Sequence, residues 1–439
     1  MSEIEQGRFA YGRVQAKDGA ATNVRWYIFV VVFLLVVINM VDRTALSIAM
    51  PTIAAEFSLG PAMQGLILSS FFWSYALMQI PGGWLIDRYG PRSVITLSTV
   101  GWGVFQTIAG FTTGGISLLL TRIGLGTAEA PLFPSGAKLN SIWLSSKERA
   151  RGAVFMDSGA PLGAAFGGVL ISWLILALGS WRLAFIAAGL VTIVLGWFAW
   201  RYLRDNPSTH PGVNDAERDI IKDVGESRQE NAEYEPSHVL RRSLLGLVTG
   251  RTGWAMINFG LLTWGPSYLA QARGFNLKEM GGATFVIFLA GMLGSLASGF
   301  IADKLLAAGY RRSVVYKLLL GITGLGVAAT FIALPHVSNP IIAVALLSAT
   351  LFLLYFGSLY WSLPSILAPK SRVGIVGGTM NFAGSISGIV VPILTGFILQ
   401  WTNGSYGTVL GFFAGCAIVY VIATIAIDFN ESTPVRKDS

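Results

Sequence analysis

The sequence predicts an all-α membrane protein with twelve transmembrane helices in two pseudo-symmetric six-helix bundles. Three observations lead there. Of 439 residues, 53% are hydrophobic and 12% charged, with a mean hydropathy of +0.61, whereas soluble domains carry about 25% charge. Apolar runs of about 20 residues, enough to cross a bilayer, recur twelve times. One long polar stretch, Leu203 to Arg242, divides them six and six.

The predicted spans are 25–50, 61–86, 93–113, 116–137, 152–178, 182–202, 243–270, 280–301, 313–334, 339–366, 373–400 and 405–428. The first is apolar without a break from Trp26 to Ile38, yet Asn39, Asp42 and Arg43 fall in its second half. A charge at that depth costs roughly 2.5–3.5 kcal/mol on insertion scales, so such residues usually line a polar cavity. Residues 1–24 are polar and mixed in charge, without an apolar core and cleavage site, and read as a cytosolic tail. The bundles then cover 25–202 and 243–428, with a linker at 203–242 and a tail at 429–439. Pro207, Pro211 and Pro236 among alternating charges predict a solvated linker with one short helix around Ala216 to Val224.

A net charge of +8 raises the question of nucleic acid, but the basic residues are scattered through short interhelical segments and form no stripe with interleaved aromatics. Topology explains them. Of 31 Lys and Arg, Arg43, Arg122 and Arg251 lie inside spans, and Arg182, Arg273 and Lys278 fall on the side away from the N-terminus. The remaining 25 lie on the N-terminal side, which places both termini and the linker in the cytosol. Cys416 has no partner for an intrachain disulfide and reads as a packed thiol.

The division into halves is echoed in the residues. Gly83-Trp-Leu-Ile-Asp87-Arg88 after the second span recurs as Gly299-Phe-Ile-Ala-Asp303-Lys304 after the eighth, 216 residues later. Lys147-Glu-Arg149-Ala-Arg-Gly152 is echoed by Pro369-Lys-Ser-Arg372-Val-Gly374 at the exit of the tenth. Parallel repeats with a site between them near the midplane are one transporter architecture. At that depth the first half holds Asp42, Arg43, Arg122 and Glu129, the last two seven residues apart on one helix face. Burial raises a carboxylate's pKa and a nearby Arg lowers it, so its protonation can be coupled to whatever occupies the Arg. The ordinary structural reading is a static buried salt-bridge network.

These motifs carry a family resemblance. Gly83-x3-Asp87-Arg88-Tyr-Gly90-Pro-Arg92 resembles the signature loop of the major facilitator superfamily. Asn39-x2-Asp42-Arg43, Arg122-x6-Glu129-Ala-Pro-x-Phe-Pro134 and Trp143-x3-Lys147-Glu148-Arg149 are similar to its anion:cation symporter branch, which includes bacterial sugar-acid permeases. The resemblance implies the major facilitator fold in a bacterial inner membrane, and inward transport of an organic anion with protons by alternating access. It implies no cofactor beyond the proton gradient, and a monomer. It assigns Asp42 and Glu129 to proton coupling, Arg43 to the substrate carboxylate and Arg122 to regulation of Glu129. It also assigns Tyr75, Ser358, Trp361 and Asn381 to substrate contact. Gly83, Asp87, Arg88, Arg92 and the copy at Asp303 would form a charged gating latch between the halves at the cytosolic rim.

Departures from the branch limit the substrate. Met40 stands where sugar-acid members have Tyr, Ala160 where some have Gln, and Arg251 where a Gln is expected, while Asp157 is an unusual acid in the fifth span. A dicarboxylate, an aldarate or an aromatic acid then joins the sugar acids as a candidate. Arg251, with Asp157 as a charge partner, either meets a second acid group or snorkels to the cytosolic edge. Gly159, Gly163 and Gly167, with Gly291, Gly294 and Gly299, suit close helix packing. The chain has no phosphate loop and no His-Glu-x-x-His, and its three histidines lie outside the spans, which argues against an ATP-driven pump, a metallohydrolase or any enzyme. A proton-coupled drug or metabolite antiporter and a carboxylate-sensing receptor that transports nothing are the rival functions.

Overall fold

Backbone groups in hydrocarbon have no water to bond, so each apolar run closes its hydrogen bonds along itself as a helix. The computed structural model describes residues 20–145, 148–222, 241–368 and 373–429, and no strand occurs among them. The first half comprises α1 (Val24–Phe57), α2 (Pro61–Tyr89), α3 (Pro91–Ala109), α4 (Gly115–Glu129), α5 (Leu132–Trp143), α6 (Arg149–Leu178) and α7 (Trp181–Tyr202). A short α8 (Asp215–Lys222) follows. The second half comprises α9 (Arg241–Arg273), α10 (Leu277–Ala307), α11 (Arg312–Ala333), α12 (Pro340–Leu354), α13 (Leu363–Leu367), α14 (Val373–Trp401) and α15 (Tyr406–Ala426). Among the described residues, nine spans are long and apolar enough to cross a membrane by themselves. Polar α2, α3 and α9 complete the twelve passes.

Two passes are broken where one helix was expected. The pass predicted at 116–137 divides at Ala130 and runs on to Trp143, because Pro131 and Pro134 offer no N–H to the preceding turn. The pass at 339–366 tightens into a 3-10 helix over Tyr355–Ser362, then resumes as α13. The turn at Gly90 (φ 81°), closed by Pro91, has a counterpart at Gly309 (φ 87°) between α10 and α11.

The packing repeats with the chain. α1 packs on α6 as α9 does on α14, α3 on α7 as α11 on α15, and α2 on α4 as α10 on α12. Across the halves α6 meets α10 and α14 meets α2, related by the same pseudo-two-fold. Gly159, Gly163 and Gly167 of α6 serve the first half itself, while Gly168 meets Thr284 and Gly281 of α10. A methyl on Gly167 would lie 3.1 Å from the Val41 Cα of α1, and one on Gly163 would strike the Val37 carbonyl. Between the halves, a methyl on Gly65 would lie 2.5 Å from the Pro392 carbonyl oxygen, and one on Gly396 2.6 Å from that of Pro61. These contacts belong to the end of the molecule away from the α2–α3 turn. Toward that turn Ile80 is 85% exposed, and a methyl on Gly83 or Gly378 would meet no other element within 4 Å. The halves close at one end and part toward the other.

The predicted solvated linker is docked as far as it is described. α8 is amphipathic, and its Glu217 is fully buried against the start of α1. Its carboxylate accepts from the backbone N–H of Val24 (3.2 Å) and Arg25 (3.0 Å) and from Arg25 Nη1 (3.1 Å). An acid on the free N–H groups of a helix start meets the positive end of its dipole. Arg25 in turn pairs with Glu148 at 3.1 Å, tying the α5–α6 connection to the same point. His210 packs edge-on against Trp143 and Tyr202. The remainder of the linker, Lys147, the Arg149 side chain and the echo around Arg372 lie outside what is described.

Candidate functional site

Hydrophobic packing of α1 against α6 and α9 turns the second half of α1 inward, which buries its polar residues in protein instead of lipid. Asn39 and Asp42 are 0% and 1% exposed. Thr192 of α7 donates to Asp42 Oδ2 at 3.0 Å, and the fully buried Trp102 of α3 belongs to the same electrostatic cluster. Arg43 Nε donates to Glu129 Oε2 at 2.8 Å, and its guanidinium stacks over Phe71 (4.5 Å) and Tyr75 (4.6 Å) of α2. Glu129 is fully buried at the last residue of α4, immediately before the proline break.

The structure therefore gives Glu129 to Arg43 and not to Arg122, although Arg122 shares its helix. Arg122 is 3% exposed, its Nε and Nη1 have no hydrogen-bond partner, and it makes no ion pair among the described residues. Arg43 and Arg122 line a cavity of about 20 Å³ with Ser47, Phe72, Leu262 and Thr263. That volume holds a water and no sugar acid. Leu262 and Thr263 come from α9, so the two cations lie where the halves meet.

Among the described residues, the second half supplies one charge at this depth. Arg251 of α9 is 8% exposed, stacks over Trp254 (4.0 Å) and Trp361 (4.9 Å), and leaves Nε and Nη1 without hydrogen-bond partners. It is buried in an aromatic box, which answers the snorkelling alternative. Asp157 of α6 is exposed and electrostatically coupled to it from the other half. The remaining expected contacts do not all converge. Trp361 is 48% exposed on the open side of Arg251, and Asn381 is exposed on α14. The Ser358 hydroxyl is held between Ser295 (3.2 Å) and Ser298 (3.1 Å) of α10, a contact within the second half.

The latch expected between the halves is formed otherwise. Asp87 pairs with Lys138 of α5 at 2.9 Å, Arg88 stacks on Trp84 and Tyr89, and Arg92 stacks on Trp200 and donates to its carbonyl. All these partners belong to the first half, because the halves are apart at that end. Asp303 is exposed at the end of α10. Sequence reasoning missed Thr192 and Trp254. A threonine amid Val, Ile and Leu in α7, and a tryptophan one turn from Arg251, were the available signals.

Comparison with known proteins gives the family and the fold. Residues 32–392 match the family model of the Major Facilitator Superfamily. The D-galactonate transporter of Escherichia coli is 34% identical over 414 residues, covering 92% of this chain and 93% of its own. The probable galactarate/D-glucarate transporter GarP of the same species is 31% identical over 422 residues, covering 92% and 94%. In fold, the chain is similar to a bacterial homolog of the human lysosomal transporter Spinster in its inward-facing and occupied conformation. That match has a TM-score of 0.71 at 18% identity over 93% of this chain and 95% of the other.

Proposed function

The chain belongs to the Major Facilitator Superfamily, and from that premise we propose that it imports a small organic carboxylate together with protons by alternating access. Its relatives are carriers, and the chain is a multi-pass membrane transporter, not an enzyme. The observation that carries the reading is the buried Arg43–Glu129 pair, 2.8 Å long, beside a cavity at the meeting of the halves. A substrate carboxylate and Glu129 are rivals for one guanidinium. When Glu129 is protonated it releases Arg43 to the substrate; when it is ionised it takes Arg43 back. Binding of anion and proton is thereby linked, which is the requirement of symport.

Asp42 is the second proton site in this reading, held by Thr192 at 3.0 Å. Arg122, which makes no ion pair among the described residues, keeps the local field positive until the anion arrives. Tyr75 fixes the plane of the Arg43 guanidinium through its ring. The carrier works as a monomer without a cofactor, in a bacterial inner membrane with both termini cytoplasmic, and the described cleft then opens to the cytosol. Parting of the halves at one end and closure at the other favours this over a receptor that moves nothing.

The test is uptake into proteoliposomes under an imposed proton gradient, with thermal-shift titration of sugar acids on the purified protein. Glu129→Gln is expected to bind substrate and exchange it across the membrane but to lose accumulation. Uphill transport retained in Glu129→Gln would refute the coupling, and proton release on substrate binding would favour the antiporter.

A further inference from the structure

We propose that Arg251 is a second anion-binding group of the transport site, which selects substrates acidic at both ends, and that Asp157 is its counter-charge in the empty carrier. The inference rests on the reading that one substrate carboxylate binds Arg43. Its grounds are separate and lie in the other half.

A buried guanidinium is costly unless paired and hydrogen-bonded. Arg251 is 8% exposed, no acid lies within ion-pair distance among the described residues, and Nε and Nη1 have no hydrogen-bond partner. Trp254 at 4.0 Å and Trp361 at 4.9 Å cover the flat π-face of the guanidinium. Ring stacking satisfies that face and leaves the N–H edge free, and the edge is the part that matches a carboxylate with two parallel bonds. The box is open on one side, since Trp361 is 48% exposed. It also faces the other half, since its coupled acid is the exposed Asp157 of α6. Arg43 faces the same divide, sharing a cavity with Leu262 and Thr263 of α9.

Charge accounting agrees. Among the described residues, the charged groups at the depth of the site are Arg43, Arg122 and Arg251 against Asp42, Glu129 and Asp157, which sum to zero when all are ionised. Protonating Asp42 and Glu129 leaves a charge of +2, the complement of a dianion. A monoanion would leave Arg251 to Asp157. The carbon skeleton that fits is an aldarate, with the carboxylates at its two ends divided between Arg43 and Arg251.

Galactarate and D-galactonate test this directly, because they share the same stereocentres and differ only in whether the far carbon is a carboxylate or a hydroxymethyl. Binding to the full-length protein in detergent, and counterflow in proteoliposomes, are expected to favour galactarate at least tenfold. Arg251→Gln should weaken galactarate at least tenfold more than D-galactonate, erasing the preference, and Arg251→Lys should restore part of it. Asp157→Asn should tighten galactarate several-fold by removing its competitor. A wild-type protein that binds neither galactarate nor D-glucarate more tightly than D-galactonate overturns the proposal. So does an Arg251→Gln protein that loses all three equally or keeps the preference. The two readings fail differently. If Arg43→Ala still binds these acids, the proposed function falls; if Arg43→Ala loses binding while Arg251→Gln keeps its preference for galactarate, only the present inference falls.

Discussion

The two halves share a packing plan and differ in chemistry. α1 on α6 is repeated by α9 on α14, and the crossing contacts are repeated as well, so each half presents equivalent surfaces to its partner. At the 216-residue offset of the loop repeat, Asp42 and Arg43 correspond to Asn258 and Phe259, and the fully buried Glu129 lies in a pass whose counterpart, 339–366, holds no charged residue. Duplication preserved what symmetry needs, which is small residues at close helix contacts. It did not preserve the charges, because a site between two halves requires only one copy of each reacting group. Among the described residues, the first half therefore bears four charges at the depth of the site and the second bears Arg251.

Substitution at corresponding positions should expose that asymmetry most strongly. Arg43→Ala is expected to reduce substrate binding at least a hundredfold and to lower the melting temperature, since breaking a buried pair costs about 3–5 kcal/mol. Phe259→Ala removes an inter-half ring contact with Phe72 and should reduce uptake less than tenfold. Equal losses in uptake and binding assays would show that the halves share the chemistry after all.

A middle-sized effect should come from the docked linker. Glu217→Ala removes four charge-assisted hydrogen bonds, the fourth from the Thr22 hydroxyl at 2.5 Å, each contributing roughly 1.5–3 kcal/mol, and should lower the melting temperature by several degrees while transport survives. Only the first half has such a clasp among the described residues, so limited proteolysis should open it before the second half.

Acid should act on the same clasp more gently. Burial, and after it the Arg204 charge, hold His210 below its ordinary value of 6.5. The folded chain then binds that proton less well than the unfolded chain, so the stabilisation is complete above pH 6.5 and is lost as the pH falls through the lowered folded value. Protonation also removes the Nδ1 acceptor used by Gly212 at 3.1 Å. His210→Gln should flatten the melting temperature between pH 7 and 5, a shift of a few degrees.

The smallest effect concerns the cleft. Gly83→Ala meets open space in this conformation and should leave stability unchanged. The same face of α2 is in contact with α14 about three and five turns earlier, at Phe72 and Gly65, so the added methyl should slow transport several-fold by obstructing closure. Unchanged uptake would place that face outside the moving contact.

Much of this was legible in the sequence, for reasons that can be named. Span positions followed from apolar length, and the duplication from Asp87 and Asp303. The buried charges followed from Asp42, Arg43, Arg122 and Glu129 standing in apolar runs. Partners were less legible. A seven-residue spacing places Arg122 and Glu129 on one face but does not say what lies opposite, and the opposite residue is Arg43. The latch at Asp87 depends on which end of the cleft is open, and sequence carries no record of conformation. Glu217 looked like a solvated charge because its partners are backbone N–H groups of α1, almost 200 residues away. The 3-10 segment at Tyr355–Ser362 holds no proline and gave no sign.

The clasp at Glu217 also decides how the two moving bodies are joined. As far as it is described, up to Lys222, the linker is fastened to the first bundle and travels with it. A gene split after Lys222 should yield two fragments that recombine into a working carrier, each bringing its own faces to the shared cleft.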